Sequence, residues 1–165
     1  MAAKQQAPAA PEVNISVVIE ASPAQVLRAF FDADALGAWW QVARSVTTPR
    51  MLGAYAIEWK TTDFRDDVLG RLGGTLRGTV MQYEHGRSCF IADLFWLPPD
   101  GEPIGPMAFE VTCTPAAGRQ GPSSATQLRV VQTGYEEGPR WRRYYEIFGG
   151  GLERAVHSLK MLLEK

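Results

Sequence analysis

Few residues in this chain have the type and spacing that chemistry requires. His85 sits in a Glu84-His85-Gly86-Arg87 turn, and His157 lies beside Val156 but off the apolar stripe of the last segment, so both read as surface residues. Cys89 and Cys113 lie inside apolar, strand-like runs without C-x-x-C spacing, which is the pattern of reduced, buried thiols in a cytoplasmic protein. A disulfide between them would require those two strands to be neighbours. No His, Cys, Asp or Glu cluster has metal-ligand spacing, no G-x-S-x-G elbow occurs, and Gly70-Arg71-Leu72-Gly73-Gly74 lacks the Lys-Ser/Thr end of a phosphate loop. The sequence therefore assigns no catalytic residue, no metal and no cofactor.

A carboxylate desolvated in a pocket would still serve as an acid or base. Glu58 alternates out of phase with Tyr55 and Trp59, and Glu110 opposes Phe109 and Val111, so both are expected in solvent. Asp93 is in phase with Ile91 and Phe95 and is the one strand carboxylate expected inside, where a structural hydrogen bond is the ordinary role. Aromatic residues are the stronger signal. Trp39, Trp40, Tyr55, Trp59, Phe90, Trp141, Tyr145 and Phe148 fall on segments that would face one another, with Leu152 beside them. Most such residues are simply core. Gln132 is in phase with Leu128 and Val130, so it and Tyr145 would add polar tips to that surface, as orienting groups do in ligand pockets.

These side chains are positioned by elements that the periodicity defines. Val13–Glu20 is β-branched and mostly alternating, a first strand. Ser22 as N-cap and Pro23 at the first helical position open a helix carrying Val26, Leu27, Phe30 and Phe31, and a second short helix covers Asp34–Trp39. From Gln41 onward the period is two: Gly53–Lys60, Thr75–Tyr83, Ser88–Trp96, Met107–Thr114 and Ala125–Thr133 read as strands. Asp63–Gly74 reads as a loop or mobile edge, and Pro115–Ser124 as a hairpin connection rich in Gly, Pro and Ser. Pro139–Leu163 is one amphipathic helix, about 35–40 Å long at 1.5 Å per residue, enough to cross a small sheet. Its middle carries Gly149-Gly150-Gly151, which costs roughly 3 kcal/mol against alanine. Either the helix approaches a strand closely or kinks there, or the missing side chains leave room for a ligand.

The order strand, two helices, about six or seven antiparallel strands and a long helix is an α+β arrangement with one curved sheet wrapped around the C-terminal helix. The 165 residues suit a single domain from residue 13 to 165 behind a disordered tail, residues 1–12, which is made of Ala, Gln and Pro with one Lys. A formal net charge of −1 gives no electrostatic case for nucleic acid, and no run is apolar enough to span a membrane. Exposed edge strands in such a sheet are compatible with a homodimer.

Ile19-Glu20-Ala21-Ser22-Pro23-Ala24-Gln25-Val26 and Leu36-Gly37-Ala38-Trp39-Trp40 resemble the opening of the START-like (SRPBCC, helix-grip) superfamily, in the branch related to the activator of the heat-shock chaperone ATPase. Gly53-Ala54-Tyr55, Arg77-Gly78-Thr79-Val80 and Thr126 through Tyr135 continue the resemblance as far as Leu163. The resemblance implies a helix-grip fold and a cavity for lipids, polyketides or other small hydrophobic molecules. Leu152 stands where the family often has tryptophan, and Gln132 where it often has histidine, so no relative's ligand carries over. Three readings follow: a non-enzymatic carrier or sensor of an apolar or aromatic molecule; a cyclase, dehydratase or hydrolase using the same cavity; and a co-chaperone-like interaction module. Catalysis requires ionisable groups converging on the cavity, whereas an interaction module requires an exposed apolar patch and little cavity.

Overall fold

The computed structural model describes residues 11–165; the expected disordered tail lies outside these residues except for its last two positions. The chain runs β1 (Val13–Ile19), α1 (Pro23–Arg28), α2 (Ala33–Trp39), β2 (Arg44–Thr47), β3 (Ala54–Trp59), β4 (Arg65–Asp66), β5 (Gly70–Arg71), β6 (Gly74–Glu84), β7 (Ser88–Leu97), β8 (Ile104–Gly118), β9 (Gly121–Thr133) and α3 (Pro139–Leu163).

Local chemistry sets the helix starts. Ser22 Oγ accepts from the Gln25 N–H at 3.2 Å while Gln25 Oε1 accepts from the Ser22 N–H at 3.0 Å, a reciprocal capping box with Pro23 in the first turn. Asp32 caps α2 through the Ala35 N–H at 2.9 Å. Seven strands form one antiparallel sheet in the order β1-β9-β8-β7-β6-β3-β2, and β4 and β5 form a separate two-stranded ladder. The sheet joins the first strand to the last, with Val13 opposite Gln132 and Ile19 opposite Thr126.

One face of the sheet is buried through Tyr55 and Ile57, Leu76 and Val80, Ile91 and Leu94, Phe109 and Val111, and Leu128 and Val130. Against it α3 buries Tyr144, Tyr145, Leu152, Ala155, Val156 and Leu159. Burying one leucine or valine contributes about 1.5–3 kcal/mol, so Leu152, Val156 and Leu159 together exceed the roughly 3 kcal/mol that the three glycines cost. The helix runs unbroken through them.

Two expectations are corrected. Asp93 is exposed, because β7 bulges between Ile91 and Leu94: the extra residue, with Asp93 at φ 50°, resets the alternation so that Ile91, Leu94 and Trp96 point inward and Asp93 outward. The Pro115–Ser124 stretch is mostly strand. Pairing continues from Pro115 opposite Thr126 to Gly118 opposite Gly121, and Ser124 Oγ closes the short turn by accepting from the Gln120 N–H and donating to the Gly121 carbonyl. Cys89 and Cys113 lie on adjacent strands and are both free and buried, with burial pushing each thiol up to about 12.

Candidate functional site: an aromatic cleft between sheet and helix

The sheet and α3 do not close on each other along their whole length. At the end where α2, the tip of β3 and the 62–73 segment meet the helix, they leave an open cleft of about 1100 Å³. Trp39, Trp40 and Val42 supply one wall, Trp59 and Trp96 the sheet side, Leu69 and Leu72 the segment above, and Tyr144, Ile147, Phe148 and Leu152 the helix side. The rings are organised around Trp40, which stacks on Trp39 at 5.0 Å and packs against Trp59 at 5.4 Å and Phe148 at 6.2 Å. Phe148 in turn stacks on Tyr144 at 5.3 Å, and Tyr144 packs on Trp96 at 5.5 Å.

Backbone carbonyls use up most of the indole donors. Trp39 Nε1 donates to the Ala29 carbonyl, Trp59 Nε1 to the Trp40 carbonyl and Trp96 Nε1 to the Gly73 carbonyl, each at 2.9 Å. These three rings are thereby held in place and offer the cleft apolar surface; the Trp40 N–H has no acceptor among the described residues.

The segment above the cleft is pinned at two points. Asp66, at 4% exposure, accepts from Arg143 Nε and Nη2 at 2.9 and 2.8 Å, and its other oxygen accepts from the Val68 and Leu69 N–H groups at 3.0 Å. The guanidinium and these N–H groups lower the Asp66 pKa from its ordinary value. Arg71 grips Asp100 through Nε and Nη2 at 3.0 and 2.8 Å, which holds that carboxyl well below the usual range.

Five of the ten residues expected at a ligand cavity line this cleft: Trp39, Trp40, Trp59, Phe148 and Leu152. The other five do not. Tyr55 is a core residue whose hydroxyl donates to the Phe30 carbonyl at 2.8 Å. Phe90 lies on the outer face of the sheet, because it alternates with buried Cys89 and Ile91 and faces Gln82 and Glu110 on the neighbouring strands. Gln132 does point inward but lies buried behind the wall, with Nε2 donating to the Tyr144 hydroxyl at 3.2 Å and lying 2.8 Å from Met107 Sδ. Tyr145 packs against Tyr135 at 5.3 Å and Trp141 against Tyr145 at 6.4 Å, and Tyr145 lines a separate hollow of about 270 Å³ beside β1.

The helix face toward the cleft is 144, 147, 148, 151, 152, 154, 155 and 158, which only partly overlaps the stripe that the apolar pattern suggests. Tyr144 and Trp96 are thus site residues that sequence reading missed; Tyr144 was signalled by its four-residue step to Phe148. The glycines are not forced by close approach. A side chain at Gly149 would meet Val13 Cγ2 at 3.5 Å, an ordinary contact, and at Gly150 and Gly151 the nearest atoms belong to the Arg154 guanidinium, at 3.5 and 3.9 Å.

The cleft's lining includes no Asp, Glu or His. Its phenol, Tyr144, has a pKa raised by burial, only partly offset by the hydrogen bond from Gln132, so it holds its proton at neutral pH. Among the described residues no group of three or more His, Cys, Asp or Glu is placed to hold a metal ion, and no helix is long and apolar enough to cross a membrane.

A seven-stranded antiparallel sheet packed on a long C-terminal helix, with two short helices after the first strand, is the START-like, helix-grip fold. Solved structures of that fold are similar over nearly the whole chain. A protein from Chromobacterium violaceum has TM-score 0.65 at 22% identity, covering 94% of this chain and 98% of its own. The Aha1 dimer from Colwellia psychrerythraea has TM-score 0.64 at 15% identity, covering 93% and 96%, and the AHSA1 protein from Silicibacter pomeroyi TM-score 0.64 at 12% identity, covering 92% and 96%. These likenesses establish an Aha1-like fold. No protein-family model matches the chain, and no curated protein matches it.

Proposed function

We propose that this protein binds a small apolar or aromatic molecule, lipid- or polyketide-like, without transforming it, as a carrier or sensor. The reading takes residues 13–165 as one domain acting in the cytoplasm. The observation that carries it is the 1100 Å³ cleft walled by Trp39, Trp40, Trp59, Trp96 and Phe148, rings packed on one another, with Trp39, Trp59 and Trp96 also fixed by hydrogen bonds. Such a surface gains free energy when it is covered, at about 25 cal/mol per Å² of apolar area removed from water, and being already ordered it loses little entropy on doing so.

The lining favours binding over catalysis. A cyclase, dehydratase or hydrolase needs a group that exchanges protons near neutral pH, and the cleft offers a phenol whose pKa burial has raised. A co-chaperone-like module would use surface rather than cavity, and a cleft of this size is unneeded for that. A homodimer fits beside the binding reading: β2 is a free sheet edge with Val46 exposed, and the similar Colwellia protein is a dimer.

The test is native mass spectrometry of the purified protein, then denaturing extraction and identification of what is released. A retained apolar compound, lost from a Gly151→Leu variant that fills the cleft, is the expected result. An empty wild-type protein that also fails to take up added lipids or aromatic compounds overturns the reading.

A further inference from the structure

The charged residues in the cleft's lining are Lys60 and Arg154, and both are cations. No acidic side chain lines it, in a chain with 18 acidic residues against 17 Lys and Arg, so the sign of the cleft does not follow from the overall balance. Lys60 comes from the sheet side, just past β3, and Arg154 from α3. Both are exposed, at the mouth rather than the floor, and neither has a carboxylate partner among the described residues. Other cations nearby are already engaged, Arg143 with Asp66 and Glu146 and Arg71 with Asp100.

Arg154 lies against the glycine run. The guanidinium folds back one turn and lies along the bare backbone of Gly150 and Gly151, its Nη1 and Nη2 3.5 and 3.9 Å from where β-carbons would stand. Gly151 itself lines the cleft. A planar, permanently charged fork thus lies at the rim of a hollow whose lining includes the Trp40 ring.

Resting on the binding reading above, we infer that the cleft selects anionic amphiphiles: molecules with an apolar body that lies among Trp40, Trp59 and Phe148 and a carboxylate-type head that Arg154 and Lys60 receive. A guanidinium–carboxylate contact is charge-assisted and directional, and at an exposed mouth it stays open to screening by salt.

Equilibrium dialysis with two matched pairs tests this: dodecanoate against dodecanamide below micelle concentration, and 2-naphthoate against 2-naphthamide. The wild type is expected to prefer each carboxylate by about tenfold or more, a preference that added salt erodes. In the Lys60→Gln, Arg154→Gln double variant, the carboxylate should fall to within about twofold of the amide while the amide's affinity is kept. Equal binding of acid and amide by the wild type, or an acid preference that survives in the double variant, overturns the charge selection and leaves the binding reading standing. Failure of all four compounds to bind overturns both.

Discussion

Asp66 and Arg143 stand 77 positions apart in sequence and meet at 2.8 Å between Oδ1 and Nη2, tying the segment above the cleft to the long helix. The carboxylate is buried and the guanidinium half-exposed, so the pair closes the structure at a point where water still reaches one partner. Asp66→Asn keeps an acceptor for the Val68 and Leu69 N–H groups but deletes the charge. At pH 7 the melting temperature should fall by about 2–6 °C for a chain of this size, with faster amide exchange confined to residues 62–73; an unchanged exchange pattern there would refute the tie.

The same pair fixes a direction with pH. Asp66, Asp100 and Glu164 all have pKa values lowered by their cationic partners in the folded protein. Unfolded, they bind protons near 3.8 or 4.5, so between those values and the lower folded ones the unfolded state holds more protons. Their contribution is complete above about pH 5 and is lost as pH falls through the folded values. Melting followed from pH 7 to pH 2 should decline below about pH 4.5, less steeply in Asp66→Asn; parallel curves would contradict this.

Gln132 and Tyr144 form a buried polar contact behind the cleft wall, and Gln132 Oε1 has no partner among the described residues. Tyr144→Phe should cost about 1–3 kcal/mol, since it strands the amide. Replacing both, Gln132→Leu with Tyr144→Phe, should recover most of that loss. Chemical denaturation of the four proteins of this cycle measures the coupling, and strict additivity would show that the two do not act together.

Gly149→Ala should raise stability by about 1 kcal/mol, or roughly 2–4 °C, because a methyl group meets only Val13 at an ordinary distance and helix propensity improves. Destabilisation would mean that the helix needs the gap.

Tyr145→Phe separates the two hollows. The Tyr145 hydroxyl is buried without a partner among the described residues, and burial raises its pKa to about 12. Removing it should leave ligand uptake by the cleft unchanged and raise stability by about 1 kcal/mol. Lost uptake would place Tyr145 at the ligand after all.

Most of the architecture was legible because the longer elements carry their own signals, whereas β2 and the short β4–β5 ladder carry none. Ser22-Pro23 marks a helix start that the capping box confirms, and the apolar step from Trp141 to Leu163 marks a helix whose bounds the structure keeps. The cleft was legible only by half. Strand phase puts Asp93 inside, and a bulge between Ile91 and Leu94, with Asp93 in it, turns it out; no local pattern announces the bulge. Phe90 was placed by its apolar type, when alternation with Cys89 and Ile91 decides its side. Leu69 and Leu72 come from a segment with no period at all, held by Asp66 and Asp100 through contacts distant in sequence. Arg154 falls on the charged side of the helical wheel, yet its guanidinium lies back along Gly150 and Gly151 at the cleft's rim, a conformation that no sequence pattern announces.

Four of the chain's five tryptophans line the cleft, and Trp141 is the fifth. The protein's ultraviolet emission is therefore dominated by chromophores at one place, three of them already hydrogen-bonded and fixed in orientation. An occupant would change their polarity and collisional quenching together, while events elsewhere on the surface would leave most of the signal alone. The molecule carries its own optical reporter, and compound collections can be screened against it without a label.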